Sequence, residues 1–185
     1  MNDNFRFIKK NVDVSKILEQ LLDNPKDWQA VSTYANIGGL VYPYGFLPLV
    51  MGRVKNPSDN IKDSNLQQRT PLYDKYSEVK KFLKSQGIKS TSRAGFFKLE
   101  PGGKVGRHID DGNYYLTKDR YHLSIQGTYL YEVDGETYQI EPGTFFWFNN
   151  KKFHSADNNG TIDRITFVFD LPHSKTNPWI KYSLV

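Results

Sequence analysis

The feature that most limits the possible folds of this chain is a series of short strand-like segments between residues 93 and 172. Segments such as GFFKLEPGG (95–103), TYLYEVDG (128–135) and RITFVFDLP (164–172) are rich in aromatic and β-branched residues, and Gly, Pro, Asn and Asp separate them. Asp134 and Gly135 lie between two alternating runs and predict a tight hairpin. Six or more short strands with this spacing are typical of a β-sandwich or barrel, and we expect a double-stranded β-helix.

The first half of the chain carries two helical patterns. DVSKILEQLLDNP (13–25) has apolar residues at helical spacing, with Asp13 as a possible N-cap and Pro25 as a stop. TPLYDKYSEVKKFLKSQG (70–87) predicts a second helix, capped by Thr70 and ended by Gly87, whose apolar face comprises Tyr76, Val79, Phe82 and Leu83. An apolar run within residues 43–57 predicts a strand, and residues 54–69 predict an exposed loop.

These patterns predict a mainly β fold with flanking helices. We expect a jelly-roll, cupin-like core over residues 93–172, buttressed by a helical and mixed region over residues 1–92. At 185 residues the chain is long enough for one domain with a sizeable core, so we expect residues 1–185 to form a single domain.

Composition excludes several kinds of site and partner. The chain has no cysteine, so a metal site must use His, Asp or Glu. No run approaches ~18 consecutive apolar residues and the N-terminus lacks a signal-peptide pattern, so we expect a cytoplasmic protein with no membrane partner. The net charge of +5 is not gathered in a long basic block, and we interpret it as surface lysine rather than as a nucleic-acid interface.

Two histidines and one aspartate form the candidate metal site. His108 and Asp110 follow a predicted strand, and His154 follows another, 46 residues after His108. Two His and one carboxylate on one face of a metal leave positions open and suit non-haem Fe(II), although these ligands alone do not exclude Zn(II). The neighbouring Asp111 is the alternative carboxylate.

Arg164 supplies the next indication of chemistry. It begins an apolar strand, where a buried cation is costly unless it is paired. A guanidinium holds a carboxylate with two parallel hydrogen bonds, so a dicarboxylate that chelates iron at one end and binds Arg164 at the other would satisfy both groups. 2-Oxoglutarate has that shape. The alternative is a strand-edge arginine that reaches water.

The spacing of these residues resembles that of the 2-oxoglutarate/Fe(II) dioxygenases. DRYHLSIQG (119–127) is similar to the R-x-H-L strand of the aspartyl/asparaginyl β-hydroxylase family, and residues 131–171 are similar to its E-x-G turn, distal histidine and arginine strand. The resemblance covers residues 94–172. It differs from the animal enzymes, which lack the metal carboxylate that Asp110 provides, and is closer to bacterial members and proline hydroxylases.

The resemblance implies a role for each matching residue. His108, Asp110 and His154 would bind Fe(II), and Arg164 would hold the distal carboxylate of 2-oxoglutarate. Arg120 and His122 would contact its other carboxylate, near the metal. Substrate contacts are open, with Tyr114, Tyr115 and Trp147 as weak candidates; Trp147 is equally consistent with core packing.

The implied function is hydroxylation of an unactivated C–H bond of an amino-acid side chain, such as that of Asp, Asn or Pro, free or in a peptide. O₂ would be consumed and succinate and CO₂ released. Three alternatives are open: a cupin-like metal enzyme without 2-oxoglutarate, a non-catalytic jelly-roll binding module, and a nucleic-acid demethylase. Arg164 disfavours a metal enzyme without 2-oxoglutarate, and the metal triad disfavours a non-catalytic binding module. Asp170 disfavours the third, because the demethylases carry a second arginine at that position.

Overall fold

The fold consists of two antiparallel β-sheets with helices on one outer face. The structure, a computed structural model, describes residues 4–30, 40–41 and 44–173. The larger sheet has the order β1 (Phe5–Lys9), β11 (Phe145–Phe148), β8 (Lys118–Gln126), β13 (Arg164–Pro172), β6 (Ala94–Leu99), β4 (Tyr44–Gly52) and β2 (Gln29–Ala30), with β5 (Gln67–Arg69) paired to β4. The smaller sheet has the order β10 (Glu136–Ile140), β9 (Tyr129–Val133), β12 (His154–Asp157), β7 (Lys104–His108) and β3 (Leu40–Val41).

Alternation along the strands divides the apolar residues between two cores. On β11, Phe146 and Phe148 face the smaller sheet and pack with Tyr131 and Val133 of β9, whereas Phe145 and Trp147 face the helices. Both faces of this strand are buried, which explains why FFWF is apolar at every position. The two facing sheets confirm the mainly β, double-stranded β-helix prediction.

The helices are α1 (Ser15–Leu22), α2 (Leu72–Lys75), α3 (Ser77–Ser85) and α4 (Asn113–Leu116), with short 3₁₀ turns at Pro25–Asp27 and Ile61–Asp63. Helices α1 and α3 bury their apolar faces against the larger sheet, so they buttress it as predicted. No helix among residues 4–30, 40–41 and 44–173 is long and apolar enough to cross a membrane.

The second helix is interrupted, which corrects the prediction of one helix over residues 70–87. Tyr76 leaves the helical conformation (φ −87°, ψ 72°) between α2 and α3. Its ring is fully buried and its hydroxyl donates to Asp27 at 2.9 Å, a contact between distant parts of the sequence. The ends are as expected: Thr70 Oγ1 accepts from the Leu72 N–H, and Gly87 ends α3 at φ 75°.

Other local predictions agree with the structure in part. The N-cap residue of α1 is Val14, one position after the predicted Asp13, whose Oδ1 accepts from the Ser15 N–H at 3.0 Å. The apolar run within residues 43–57 forms β4. The predicted loop over residues 54–69 also contains a 3₁₀ turn and β5. Asp134 and Gly135 both adopt positive φ (52° and 84°) and close the β9–β10 hairpin, which confirms the tight turn.

Candidate metal centre and its cavity

Strand pairing brings the two histidines together. His108 ends β7, His154 begins β12, and the two residues lie directly opposite each other in this antiparallel pair. Their ring centroids are 4.2 Å apart. Asp110 follows β7 by two residues, and ligand atoms of all three side chains lie within 4.8 Å of one another. The structure therefore places His108, Asp110 and His154 in one cluster.

Backbone carbonyls orient both imidazoles. His108 Nδ1 lies 2.7 Å from the Gly106 carbonyl oxygen, and His154 Nδ1 lies 2.9 Å from that of Lys152. A carbonyl only accepts, so each Nδ1 carries the proton and each Nε2 keeps its lone pair for a metal. This arrangement of an outer acceptor behind each ligand is usual in protein metal sites.

The charges in the cluster also suit a cation. The Asp110 side chain is 8% exposed, forms an ion pair with Arg120 Nη1 at 2.8 Å and accepts a hydrogen bond from Asn150 Nδ2 at 3.2 Å. Burial opposes ionisation of Asp110, but Arg120, the two histidines and Asn150 together hold its pKa below the ordinary value. Burial lowers the pKa of His154 to about 4, against the raising effect of Asp110. At neutral pH the cluster therefore offers a carboxylate and a neutral His154 imidazole.

Arg120 lies between two carboxylates. Its Nε and Nη2 donate to Asp170 at 2.8 and 3.1 Å, while Nη1 is bound to Asp110. Asp170 also accepts from the Tyr114 hydroxyl at 3.1 Å. The Arg120 guanidinium lines the cavity beside the metal cluster, and the two carboxylates hold it in that position. The Asp170 and Asn150 contacts were not predicted from the sequence.

A cavity of about 420 Å³ lies next to the cluster, enclosed largely by aromatic and apolar side chains, and its wall includes Arg164 and His122. Arg164 is 3% exposed, and its guanidinium carbon is 4.3 Å from the centre of the Tyr129 ring. Among the described residues, the Arg164 Nε has no hydrogen-bond partner and no carboxylate lies within ion-pair distance.

His122 is a second buried group with unused hydrogen-bonding capacity. Its Nδ1 has no partner within the described parts of the chain, and its ring packs between Tyr131, Phe146 and Phe148. Burial, followed by the charges of Arg164 and Arg120, holds the pKa of His122 well below its ordinary value, so the ring is neutral.

The weaker sequence candidates occupy different positions. Tyr115 lines the cavity, Tyr114 is fully buried behind it, and Trp147 lies on the outer face of β11 in the helix-side core. Asp111 is exposed at the rim and pairs with Lys62 at 2.6 Å, so Asp110 is the carboxylate that faces the histidines. Arg93, which the sequence did not single out, also lines the cavity.

The donor set fits a divalent transition metal. Two imidazoles and one carboxylate on one rim leave coordination positions open, as in non-haem Fe(II) sites. The fold and this cluster together define a double-stranded β-helix protein with a His-Asp-His site able to hold a metal ion.

Comparison with known families agrees with this class. The model of the family described as aspartyl/asparaginyl beta-hydroxylase matches residues 8–174. The chain belongs to the aspartyl/asparaginyl β-hydroxylase family, which confirms the resemblance. No curated protein matches the sequence significantly.

Similar solved structures have low identity. A predicted oxalate decarboxylase of Thermotoga maritima is 19% identical, with a TM-score of 0.39, over 49% of this chain and 74% of that one. The Cnp3 cupin domain of Schizosaccharomyces pombe is 11% identical, with a TM-score of 0.44, over 72% of this chain and 68% of that one.

Proposed function

We propose that this protein is an Fe(II)- and 2-oxoglutarate-dependent oxygenase that hydroxylates an unactivated C–H bond of an amino-acid side chain. The observation that carries the proposal is that one cavity contains both the His-Asp-His cluster and Arg164, a buried cation without a carboxylate partner in the described chain. A buried, unpaired guanidinium is costly, and an anionic ligand that enters the cavity would remove that cost.

2-Oxoglutarate has the chemistry that this cavity requires. His108, Asp110 and His154 would hold Fe(II), and the metal would leave positions for the 1-carboxylate and 2-keto oxygens of the cosubstrate. Arg164 would bind the other carboxylate and so fix the orientation of the molecule. A metal enzyme or binding module that does not use 2-oxoglutarate gives no reason for a buried arginine at this place.

The bound metal would supply the oxidising chemistry, in which substrate C–H, 2-oxoglutarate and O₂ give C–OH, succinate and CO₂. The residues of the chain bind, orient and shield the reactants. Arg120 favours the ionised form of Asp110, and its positive charge would attract the cosubstrate carboxylate that binds near the metal. His122 is neutral and can donate one hydrogen bond to the cosubstrate.

The wall of the cavity supports this assignment. Tyr131 and Phe148 pack against His122 and His154, and such apolar neighbours strengthen each polar contact beside them. A volume of about 420 Å³ lies in the usual range for small-ligand sites, so it can take the cosubstrate together with a small substrate or a single inserted side chain.

Succinate formation tests the proposal. Protein reconstituted anaerobically with Fe(II) and 2-oxoglutarate is exposed to O₂, alone and with free amino acids and peptides, and succinate is quantified. We expect succinate above the protein-free blank, rising with a suitable substrate. Asp110→Asn should abolish it, whereas the neighbouring control Asp111→Asn should retain it, because Asp111 is exposed and points to Lys62. Absence of succinate, or equal yields from the two variants, would contradict the proposal.

A further inference from the structure

We propose that Arg93 binds a carboxylate of the primary substrate, so that the substrate is a small molecule with a free carboxylate, such as a free α-amino acid. This inference rests on the proposed function, and it selects among the substrates that the sequence left open. The argument uses the placement of Arg93, the pairing of the charges in the cavity, and the hydrogen bonds that Arg93 leaves unused.

Arg93 stands in a row of charged side chains beside the metal cluster. Asp170 on β13 lies opposite Arg120 on β8, and the Asp170 N–H donates to the Arg93 carbonyl oxygen at 2.9 Å on the other side. The next row on the same three strands comprises His122, Val168 and Gly95. All six residues line the cavity. Because Arg120 also holds Asp110, the row that contains Arg93 is the row next to the metal cluster.

The cationic side chains that line the cavity are Lys62, Arg93, Arg120 and Arg164. Lys62 pairs with Asp111, and Arg120 pairs with Asp110 and Asp170. Arg93 and Arg164 remain, and within residues 4–30, 40–41 and 44–173 neither has a carboxylate at ion-pair distance. 2-Oxoglutarate uses one carboxylate at the metal and the other at Arg164. Arg93 is then available to bind a second anion.

The Arg93 guanidinium is held in place, but some of its hydrogen-bond donors are unused. Its guanidinium carbon lies 3.8 Å from the centre of the Tyr114 ring, and a side chain at Gly52 would meet the guanidinium at 2.7 Å. Nη2 donates to the carbonyl oxygens of Ile61 and Ser64 at 2.5 and 3.1 Å. Nε, which is buried, and Nη1 make no hydrogen bond to the described residues. Such a rigid group loses little entropy when it binds a carboxylate.

Arg93 and Arg164 lie at opposite ends of one strand pair. Arg164 is opposite Leu99, and Phe169 is opposite Ala94, the residue after Arg93. Five residue steps at ~3.4 Å separate these positions by about 17 Å along the strands. One guanidinium can therefore serve the cosubstrate at its end while the other serves the substrate near the metal cluster.

The test uses the iron-reconstituted full chain and compares free L-amino acids with their α-carboxamides. For the wild type we expect at least one free amino acid to stimulate succinate formation and its carboxamide to be inactive. In Arg93→Gln the KM for that amino acid should rise by about 10-fold or more, as expected for loss of charge-assisted hydrogen bonds from a half-buried guanidinium. The KM for 2-oxoglutarate, whose distal carboxylate is assigned to Arg164, should stay near the wild-type value.

Lys62→Gln is the matched control, because Lys62 also lines the cavity but is paired with Asp111. It should leave the KM for the amino acid unchanged. Arg93→Lys, which keeps the charge, should recover part of the affinity.

Three outcomes would overturn the inference: equal stimulation by the carboxamide, stimulation by no free amino acid, or an unchanged substrate KM in Arg93→Gln. Substrate-free succinate formation by the wild type would still support the oxygenase in each case. The carboxamide comparison needs only wild-type protein, so it holds even if the Arg93 variants fail to fold. Absence of substrate-free succinate in the wild type would instead refute the proposed function.

Discussion

Replacement of Arg164 by alanine tests the cosubstrate site most sharply. Arg164 is 3% exposed, so a carboxylate bound there is almost fully removed from water. Two parallel charge-assisted hydrogen bonds contribute about 1.5–3 kcal/mol each, or roughly 3–6 kcal/mol together. At about 1.4 kcal/mol per factor of ten, the KM for 2-oxoglutarate should rise by about two to four orders of magnitude in Arg164→Ala. Arg164→Lys should give an intermediate increase, because lysine keeps the charge but loses the planar fork.

Succinate formation as a function of 2-oxoglutarate concentration measures this KM, and Fe(II) or Mn(II) titration measures metal affinity separately. Metal affinity should change little, because Arg164 has no contact with His108, Asp110 or His154 in the structure. Arg107→Ala is the matched control: Arg107 neighbours His108 in sequence but is exposed and packs over Phe153. A collapse of metal affinity in Arg164→Ala with an unchanged KM would show that the role assigned to Arg164 is wrong.

Three further predictions concern the supporting structure. Asn150→Ala removes a hydrogen bond behind Asp110 and should lower metal affinity about 10- to 100-fold in a metal titration, and an unchanged affinity would contradict the outer role of Asn150. The folded-state pKa of His154 is lowered to about 4, so its contribution to stability is present above the unfolded pKa near 6.5 and is lost as pH falls toward 4. Metal-free protein should therefore lose roughly 2 kcal/mol of unfolding free energy between pH 7 and 5 from this group, and urea titrations of His154→Gln should show a smaller decrease than wild type. Gly135→Ala places a side chain at φ 84° in the β9–β10 turn and should cost about 1–2 kcal/mol, so an unchanged urea midpoint would argue against that turn.

The sequence predicts the strands because they depend on local pattern, and the family resemblance predicts that His108, Asp110 and His154 lie together, as they do in the structure. Alternation and turn residues identify β9, β10, β11 and β13, and Asp134-Gly135 identifies the hairpin. His108 and His154 lie where one strand ends and another begins. Antiparallel pairing of β7 with β12 then brings them together.

The ion-pair network could not be predicted in the same way. Whether Asp170 meets Arg120 depends on the register between β13 and β8, and alternation gives the face of each residue but not its partner across the sheet. The break at Tyr76 likewise depends on Asp27, which is distant in sequence. The sequence shows that residue 93 is an arginine, but only the structure shows that no carboxylate of the described residues pairs with it.

The first half of the chain contributes more to the cavity than its helical pattern indicated. Strand β4 joins the larger sheet beside β6 and supplies Phe46, Met51 and Gly52 to the cavity wall, and the 3₁₀ turn supplies Ile61. The assignment of residues 1–92 as a support region of a single domain stays a prediction, and the described part of that region also forms part of the cavity wall.

The central claim is that His108, Asp110 and His154 hold Fe(II) while 2-oxoglutarate binds to the same metal. Anaerobic addition of 2-oxoglutarate to the Fe(II)-loaded protein, followed by visible absorbance, tests it directly. The account predicts a charge-transfer band that saturates with 2-oxoglutarate and is lost in His154→Ala. No band in the wild type, or an equal band in that variant, would contradict it.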